Sequence, residues 1–191
     1  MERNDMLDKL KSKLTEKRFI HSIGVEYTAA CLAMRYGADV QKARIAVLLH
    51  DNAKCLPIED KLKKCEKFDL PINECERKNP DLLHGKLGAY YAREKYGIKD
   101  QEILDAINYH TTGRPAMTLM DKIIFVADYI EPNRKIIFEL PEIRMEAFTD
   151  IDECVIHILK NTLEYLDGKT DIIDEMTEKT HKYYTELRIQ S

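Results

Sequence analysis

The sequence predicts an all-α fold in a single domain, on three observations. Apolar residues recur at helical spacing through most of the 191 residues. No stretch sustains period-two alternation with β-branched enrichment. Capping residues and glycines punctuate the apolar runs where helices would start and stop.

Taken in order, Met6, Leu7, Leu10 and Leu14 mark one face of a first helix, with Asn4 or Asp5 as its cap. A second helix fits about 21–36, where Gly37 can take the left-handed position past its end. Asp39 caps a third, whose apolar face carries Val40, Ala43, Ile45, Ala46, Leu48 and Leu49. Pro57 stops any helix that continues past His50-Asp51, and a charged helix fits about 58–68. Pro71 and Pro80 bracket a loop-like stretch. A further helix is expected over 81–96, ending at Gly97, and Asp100 caps a short one reaching about His110. Thr111-Thr112-Gly113-Arg114-Pro115 reads as a turn. Thr118 caps a helix over about 119–130, closed by Glu131-Pro132. Two more are expected at about 151–166 and 172–187, separated by Gly168.

The composition sets limits. With 191 residues the chain can bury one sizeable core. A hydrophobic content of 44% argues against disorder. A net charge of -4 gives no general surface for a nucleic-acid polymer, though a local basic pocket remains open. No apolar run approaches the roughly 18 residues of a membrane span, and Met1-Glu2-Arg3-Asn4-Asp5 lacks the apolar core of a signal peptide. A cytoplasmic protein is the expectation. The five cysteines, Cys31, Cys55, Cys65, Cys75 and Cys154, show no C-x-x-C spacing, so they are expected to be free thiols in a reducing compartment.

The chemistry is expected at His50-Asp51, an imidazole and a carboxylate at the end of the apolar run Ala46-Val47-Leu48-Leu49. Buried polar groups are costly without partners, and a metal ion satisfies both at once. His21, His84, His110 and Asp128 stand in or beside apolar helical contexts. Asp128 is the most telling, because a carboxylate inside Ile123-Ile124-Phe125-Val126-Ala127-Asp128-Tyr129-Ile130 is seldom buried unpaired. His21, His50, Asp51 and Asp128 could supply four protein ligands from three helices and leave positions open for water and a phosphate oxygen. On a regular helix His50 and Asp51 would point about 100° apart, so the helix must end or bend there. Lone histidines are more often surface or satisfied core residues, and His157 and His181 are read in that way.

Five blocks in order resemble the HD-domain phosphohydrolases, and within them the YqeK family. They are Phe19-Ile20-His21-Ser22, Leu49-His50-Asp51-Asn52-Ala53-Lys54, Leu83-His84-Gly85-Lys86, Asn108-Tyr109-His110-Thr111-Thr112-Gly113, and Ala127-Asp128-Tyr129-Ile130-Glu131-Pro132-Asn133-Arg134. The resemblance spans essentially the whole chain. It implies an HD helical bundle over 1–191, with its metal-site core at about 18–134 and C-terminal helices at about 150–188. It implies a symmetrical bis(5′-nucleosyl)-tetraphosphatase, which splits diadenosine tetraphosphate into two ADP with hydroxide generated at the metal. His21, His50, Asp51 and Asp128 would bind the metal, commonly iron in this family, although manganese, cobalt and zinc suit the same donors.

By the same resemblance, His84 and His110 would stand on the open side with Asp51 as the catalytic set. His21, Asp51, Lys54, His84, His110, Thr111, Asp128 and Arg134 would meet the nucleotide. Arg18 and Arg114 are further cations that could offset the phosphate charges. A homodimer is also implied. Asn52 stands where a small or aromatic residue is more usual, with little consequence expected, and residues 170–175 match the family only loosely. Two other readings stay open: an HD-type nucleotidase or phosphodiesterase on another nucleotide, and a nucleotide-sensing module without turnover.

Overall fold

Residues 3–135, 139–169 and 172–190 are described by the structure, a computed structural model. Helix α1 runs Arg3–Lys11, so Asn4 and Asp5 lie within its first turn instead of capping it. Helix α2, Glu16–Tyr36, begins earlier than expected because the Thr15 side chain accepts the Arg18 N–H and caps it. Gly37 closes α2 at φ 72°, a left-handed position that costs glycine little. Asp39 caps α3, Val40–His50, by accepting from the Gln41 and Lys42 N–H groups.

Helix α4, Ile58–Lys67, follows Pro57. The stretch expected as loop holds a short helix, α5, Glu74–Lys78, nucleated by a reciprocal capping box between Asn73 and Glu76. Five residues carry no apolar stripe, so periodicity could not reveal it. The expected 81–96 helix divides into a 3-10 turn, Pro80–Leu83, and α6, His84–Tyr96. Helices α7, Gln101–Tyr109, and α8, Leu119–Ile130, carry the expected caps Asp100 and Thr118. A helix not anticipated, α9, spans Leu140–Thr149 and buries Leu140, Ile143 and Ala147. Pro141 sits in its first turn, where proline is well tolerated. Helix α10 is Ile151–Leu166. Helix α11, Glu175–Gln190, starts where Asp174 Oδ1 accepts the Met176 N–H. Thr170 and Asp171, in the loosely matching segment, lie outside the described residues.

The helices α2, α3, α7 and α8 pack on one another, with α10 against α8. Val25, Leu32, Leu49, Ile107, Ile123 and Ile124 meet at the centre of the main core. A second cluster, Ala53, Cys65, Leu83, Leu87 and Tyr91, lies under α4 and α6. The two clusters are joined where α6 passes α3. Asn52, expected to matter little, is buried there and its Nδ2 donates to the Leu49 and Gly88 carbonyls at 2.7 and 3.0 Å. Glu26 on α2 is fully buried and takes Arg3 from α1 and Arg44 from α3, at 2.6 and 2.9 Å. Such a carboxylate needs its cations, since removing one partner of a buried pair strands the other. All five cysteines are free thiols. No helix of the described residues is long and apolar enough to cross a membrane.

His157 on α10 bridges Glu146 of α9 at 2.9 Å and Glu139 at 2.9 Å. Burial pulls its pKa down, but the two carboxylates outweigh burial and raise it. A raised folded-state pKa makes this contribution complete below the ordinary value of 6.5 and lost as pH rises through the raised value. His157→Gln should therefore lower Tm most below about pH 6.5, with the two Tm curves converging in alkali. Thermal denaturation of both proteins from pH 5 to 10 checks this, and a gap that widened with pH would contradict it.

Candidate metal centre

Helix ends place most of the site. α3 stops at His50, and Asp51 takes φ -101° and ψ 16° before a run of turns. The regular offset between neighbouring side chains is thereby broken, and both groups turn inward with His50 Nε2 3.3 Å from Asp51 Oδ2. His84 opens α6 and His110 follows α7. Carbonyls at helix ends have no intrahelical partner and can take a side-chain donor. His50, His84 and His110 each donate Nδ1–H to the carbonyl three residues back, those of Val47, Asp81 and Ile107. His21 differs, because it lies inside α2, and its Nδ1 faces Glu131 Oε1 at 3.1 Å.

Five side chains converge on Asp51. On its Oδ2 side are Arg18 Nη1 at 2.7 Å, His50 Nε2 at 3.3 Å and His21 Nε2 at 3.8 Å. On its Oδ1 side are His84 Nε2 at 3.4 Å and His110 Nε2 at 3.9 Å. Asp128 Oδ1 lies 2.9 Å from His21 Nε2 and 3.7 Å from His50 Nε2. His84 Nε2 and His110 Nε2 are 3.0 Å apart, and Thr111 Oγ1 is 3.2 Å from the latter.

The tautomers are set by these partners. A carbonyl only accepts, so each Nδ1 bonded to one carries the proton. The inward Nε2 atoms of neutral His50, His84 and His110 then carry lone pairs, facing two carboxylates. Acceptors facing acceptors require a cation or shared protons. His21 Nε2 and His50 Nε2 are buried with no aligned hydrogen-bond partner. Two imidazoles and two carboxylates suit a divalent first-row ion, so the donor set fits a metal.

The charge distribution agrees. Burial pulls the His50 pKa down, but the Asp51 carboxylate outweighs it and raises it to about 9, so a proton substitutes there for the cation. Burial raises the Asp51 carboxyl, while His50, His84 and His110 hold it well below the usual range. Asp128 is likewise held low against burial by the nearby His21 and His50. Burial, with His110 beside it, pushes His84 down to about 3. Burial and His50 also lower His110. Two histidines are thus neutral near pH 7.

Beside the cluster a cavity of about 570 Å³ is lined by His21, Glu16 and Glu131 together with Lys17, Arg18, Arg134 and Lys135. Four cations around one opening suit an anionic ligand. Other cations named from sequence are engaged elsewhere. Lys54 Nζ lies 2.5 Å from Asp81 Oδ2, beside the almost fully buried Lys61. Burial raises the Asp81 carboxyl, but Lys54 and Lys61 bring it down to about 2. Arg114 is taken by Asp121 at 2.7 Å and Asp105 at 3.1 Å, holding α7 to α8. Sequence reasoning passed over Glu131, reading it only as the close of a helix. The signal was a lone carboxylate directly after an apolar run.

Residues 18–133 match the HD domain family. The chain is 43% identical over 183 residues to the symmetrical bis(5′-nucleosyl)-tetraphosphatase of Bacillus subtilis (strain 168), which covers 96% of this chain and 97% of that relative. It is 42% identical over 181 residues to the protein of the same name from Halalkalibacterium halodurans, covering 95% and 96%. A crystal structure from Clostridium acetobutylicum, described as a predicted HD superfamily hydrolase involved in NAD metabolism, superposes with a TM-score of 0.94 at 37% identity over 98% of each chain.

The facing pair His84 and His110 depends on close packing of α6 on α7. A Cβ at Gly85 would lie 2.7 Å from the Asn108 carbonyl oxygen, a backbone atom that cannot swing aside. Gly85→Ala should cost about 1–3 kcal/mol through overpacking, read from urea denaturation. Wild-type stability in that variant would show that the two helices are not held at this distance.

Proposed function

Because the chain belongs to the HD domain family, and within it to the YqeK family of symmetrical bis(5′-nucleosyl)-tetraphosphatases, we propose that it hydrolyses diadenosine tetraphosphate at the centre of its bridge, releasing two ADP. The observation that carries the reading is the convergence of imidazole nitrogens and carboxylates beside a cavity lined by Lys17, Arg18, Arg134 and Lys135. His21, His50, Asp51 and Asp128 would hold a divalent ion. Iron is our assignment from the family resemblance, and the donors equally accept manganese, cobalt or zinc. A bound ion would supply Lewis acidity and lower the pKa of water.

The chain's own residues do the rest. Arg18 and Arg134 present planar forks that can grip phosphate oxygens in pairs, while Lys17 and Lys135 add point charges. Asp51, held ionised, reaches both halves of the cluster and can orient the attacking water. The Nε2 lone pairs of neutral His84 and His110, 3.0 Å apart, can accept a proton from the attacking water, hold it between them and deliver it to the departing ADP oxygen. Thr111 is within reach of that proton at 3.2 Å from His110 Nε2. Lys54, paired with Asp81 outside that cavity, acts on the charge of His84, and its contact with the nucleotide is carried by the family resemblance. The free thiols fit a cytoplasmic setting. A homodimer, and a core of about 18–134 followed by C-terminal helices, are carried by the family resemblance.

Product analysis tests the reading. The metal-loaded protein, given diadenosine tetraphosphate, should release ADP alone. AMP with ATP would mean asymmetric cleavage, and turnover confined to mononucleotides or NAD would support another HD-type activity. Asp51→Ala and Asp128→Ala should each lower turnover by more than about 1000-fold, the scale of a lost transition-state stabiliser, with the helical CD spectrum retained. Full turnover in both variants would remove the site assignment.

A further inference from the structure

One carboxylate at the centre has no role in the mechanism above. Glu131 is 1% exposed, and no lysine or arginine pairs with its carboxylate among the described residues. Its Oε1 lies 3.1 Å from His21 Nδ1, and its Oε2 accepts the Asn133 N–H at 2.6 Å. Its backbone carbonyl accepts the Arg134 N–H at 3.0 Å and Arg144 Nη2 at 2.8 Å. Burying a carboxylate without a cation is costly unless hydrogen bonds offset it, so both oxygens being used is informative.

The need for this group comes from where His21 sits. His50, His84 and His110 stand at helix ends and orient themselves on backbone carbonyls. Inside α2 the carbonyl three residues back, that of Arg18, accepts a helix N–H and also Ser22 Oγ at 3.1 Å, and His21 Nδ1 instead meets a side chain. A carboxylate there fixes the tautomer, aims the ring and raises its basicity toward a metal. The fold makes room for it at Gly24, one turn along α2 from His21. A Cβ at that position would fall 2.5 Å from Glu131 Oε2 and 3.0 Å from Asn133 Nδ2.

We infer that Glu131 is the positioning residue of this centre: one oxygen holds the His21 ring with Nε2 turned toward Asp51 and Asp128, and the other holds the turn that carries Arg134 to the cation-lined cavity. The inference rests on the proposed reading of the site as a metal centre. It ties metal affinity to substrate binding through one side chain, and it assigns Gly24 the space that side chain needs.

The test uses the full chain stripped of metal and titrated with Mn²⁺ against a competing chelator. Glu131→Gln and Glu131→Ala should each weaken Mn²⁺ about 10–100-fold, the usual effect of losing a ligand's outer partner. At saturating Mn²⁺, Glu131→Ala should also raise KM for diadenosine tetraphosphate, because the Arg134 turn is released. Gly24→Ala removes no polar group and improves intrinsic helix propensity, so it guards against a variant that merely fails to fold. It should weaken Mn²⁺ as the Glu131 variants do. Wild-type Mn²⁺ affinity in Glu131→Gln and Gly24→Ala would overturn the inference, whatever their Tm. Mn²⁺ affinity does not depend on the nucleotide, so a different substrate would undo the proposed activity and leave this inference standing. A wild-type protein that bound no metal would undo both.

Discussion

Hydrogen-bond acceptors converge in the interior with too few donors among them, and that imbalance governs the rest of the structure. His84 and His110 commit their only N–H groups to backbone carbonyls, His50 commits its Nδ1–H in the same way, and Asp51 and Asp128 are ionised. Arg18 alone brings a permanent positive charge into contact with Asp51. Burying such a set is unfavourable unless a cation enters or protons are shared. The raised pKa of His50, which sets a proton between it and the Asp51 carboxylate, is how the protein alone relieves part of the imbalance.

Helix termini make this arrangement possible. A residue at a helix end or turn has the carbonyl three residues back within reach of its ring, so its imidazole can be oriented without a further side chain. Three of the four histidines use that device. Ending α3 at His50 also lets adjacent side chains face one centre, which an uninterrupted helix forbids. The close packing needed to bring α6 onto α3 and α7 falls on Gly88 and Gly85, where any side chain would press on a neighbouring carbonyl. The division of charge is equally local. A chain of net charge -4 concentrates four cations around one opening.

Much of this was legible in the primary structure. The apolar run before His50-Asp51 and the carboxylate within α8 pointed to groups that needed partners, and the caps Asp39, Asp100 and Thr118 set their helices correctly. α5 was not legible because its stability comes from a capping box and not from an apolar stripe. α9 was not anticipated; it is ten residues long, has proline in its first turn and buries only Leu140, Ile143 and Ala147, a weak periodic signal. Glu131 and Lys61 were invisible for another reason: their partners, His21 and Asp81, are distant in the chain. Arg114 matched the expectation of a phosphate contact in type only, since Asp105 and Asp121 had already claimed it.

Diffraction from crystals grown with Mn²⁺, recorded at a wavelength where manganese scatters anomalously, bears most directly on the imbalance of acceptors. A strong anomalous peak is expected about 2.0–2.3 Å from inward atoms of His21, His50, Asp51 and Asp128, at ordinary bond length for nitrogen and oxygen ligands. A map with no peak among those four residues, and with His50 Nε2 left at hydrogen-bonding distance from Asp51, would contradict the metal assignment.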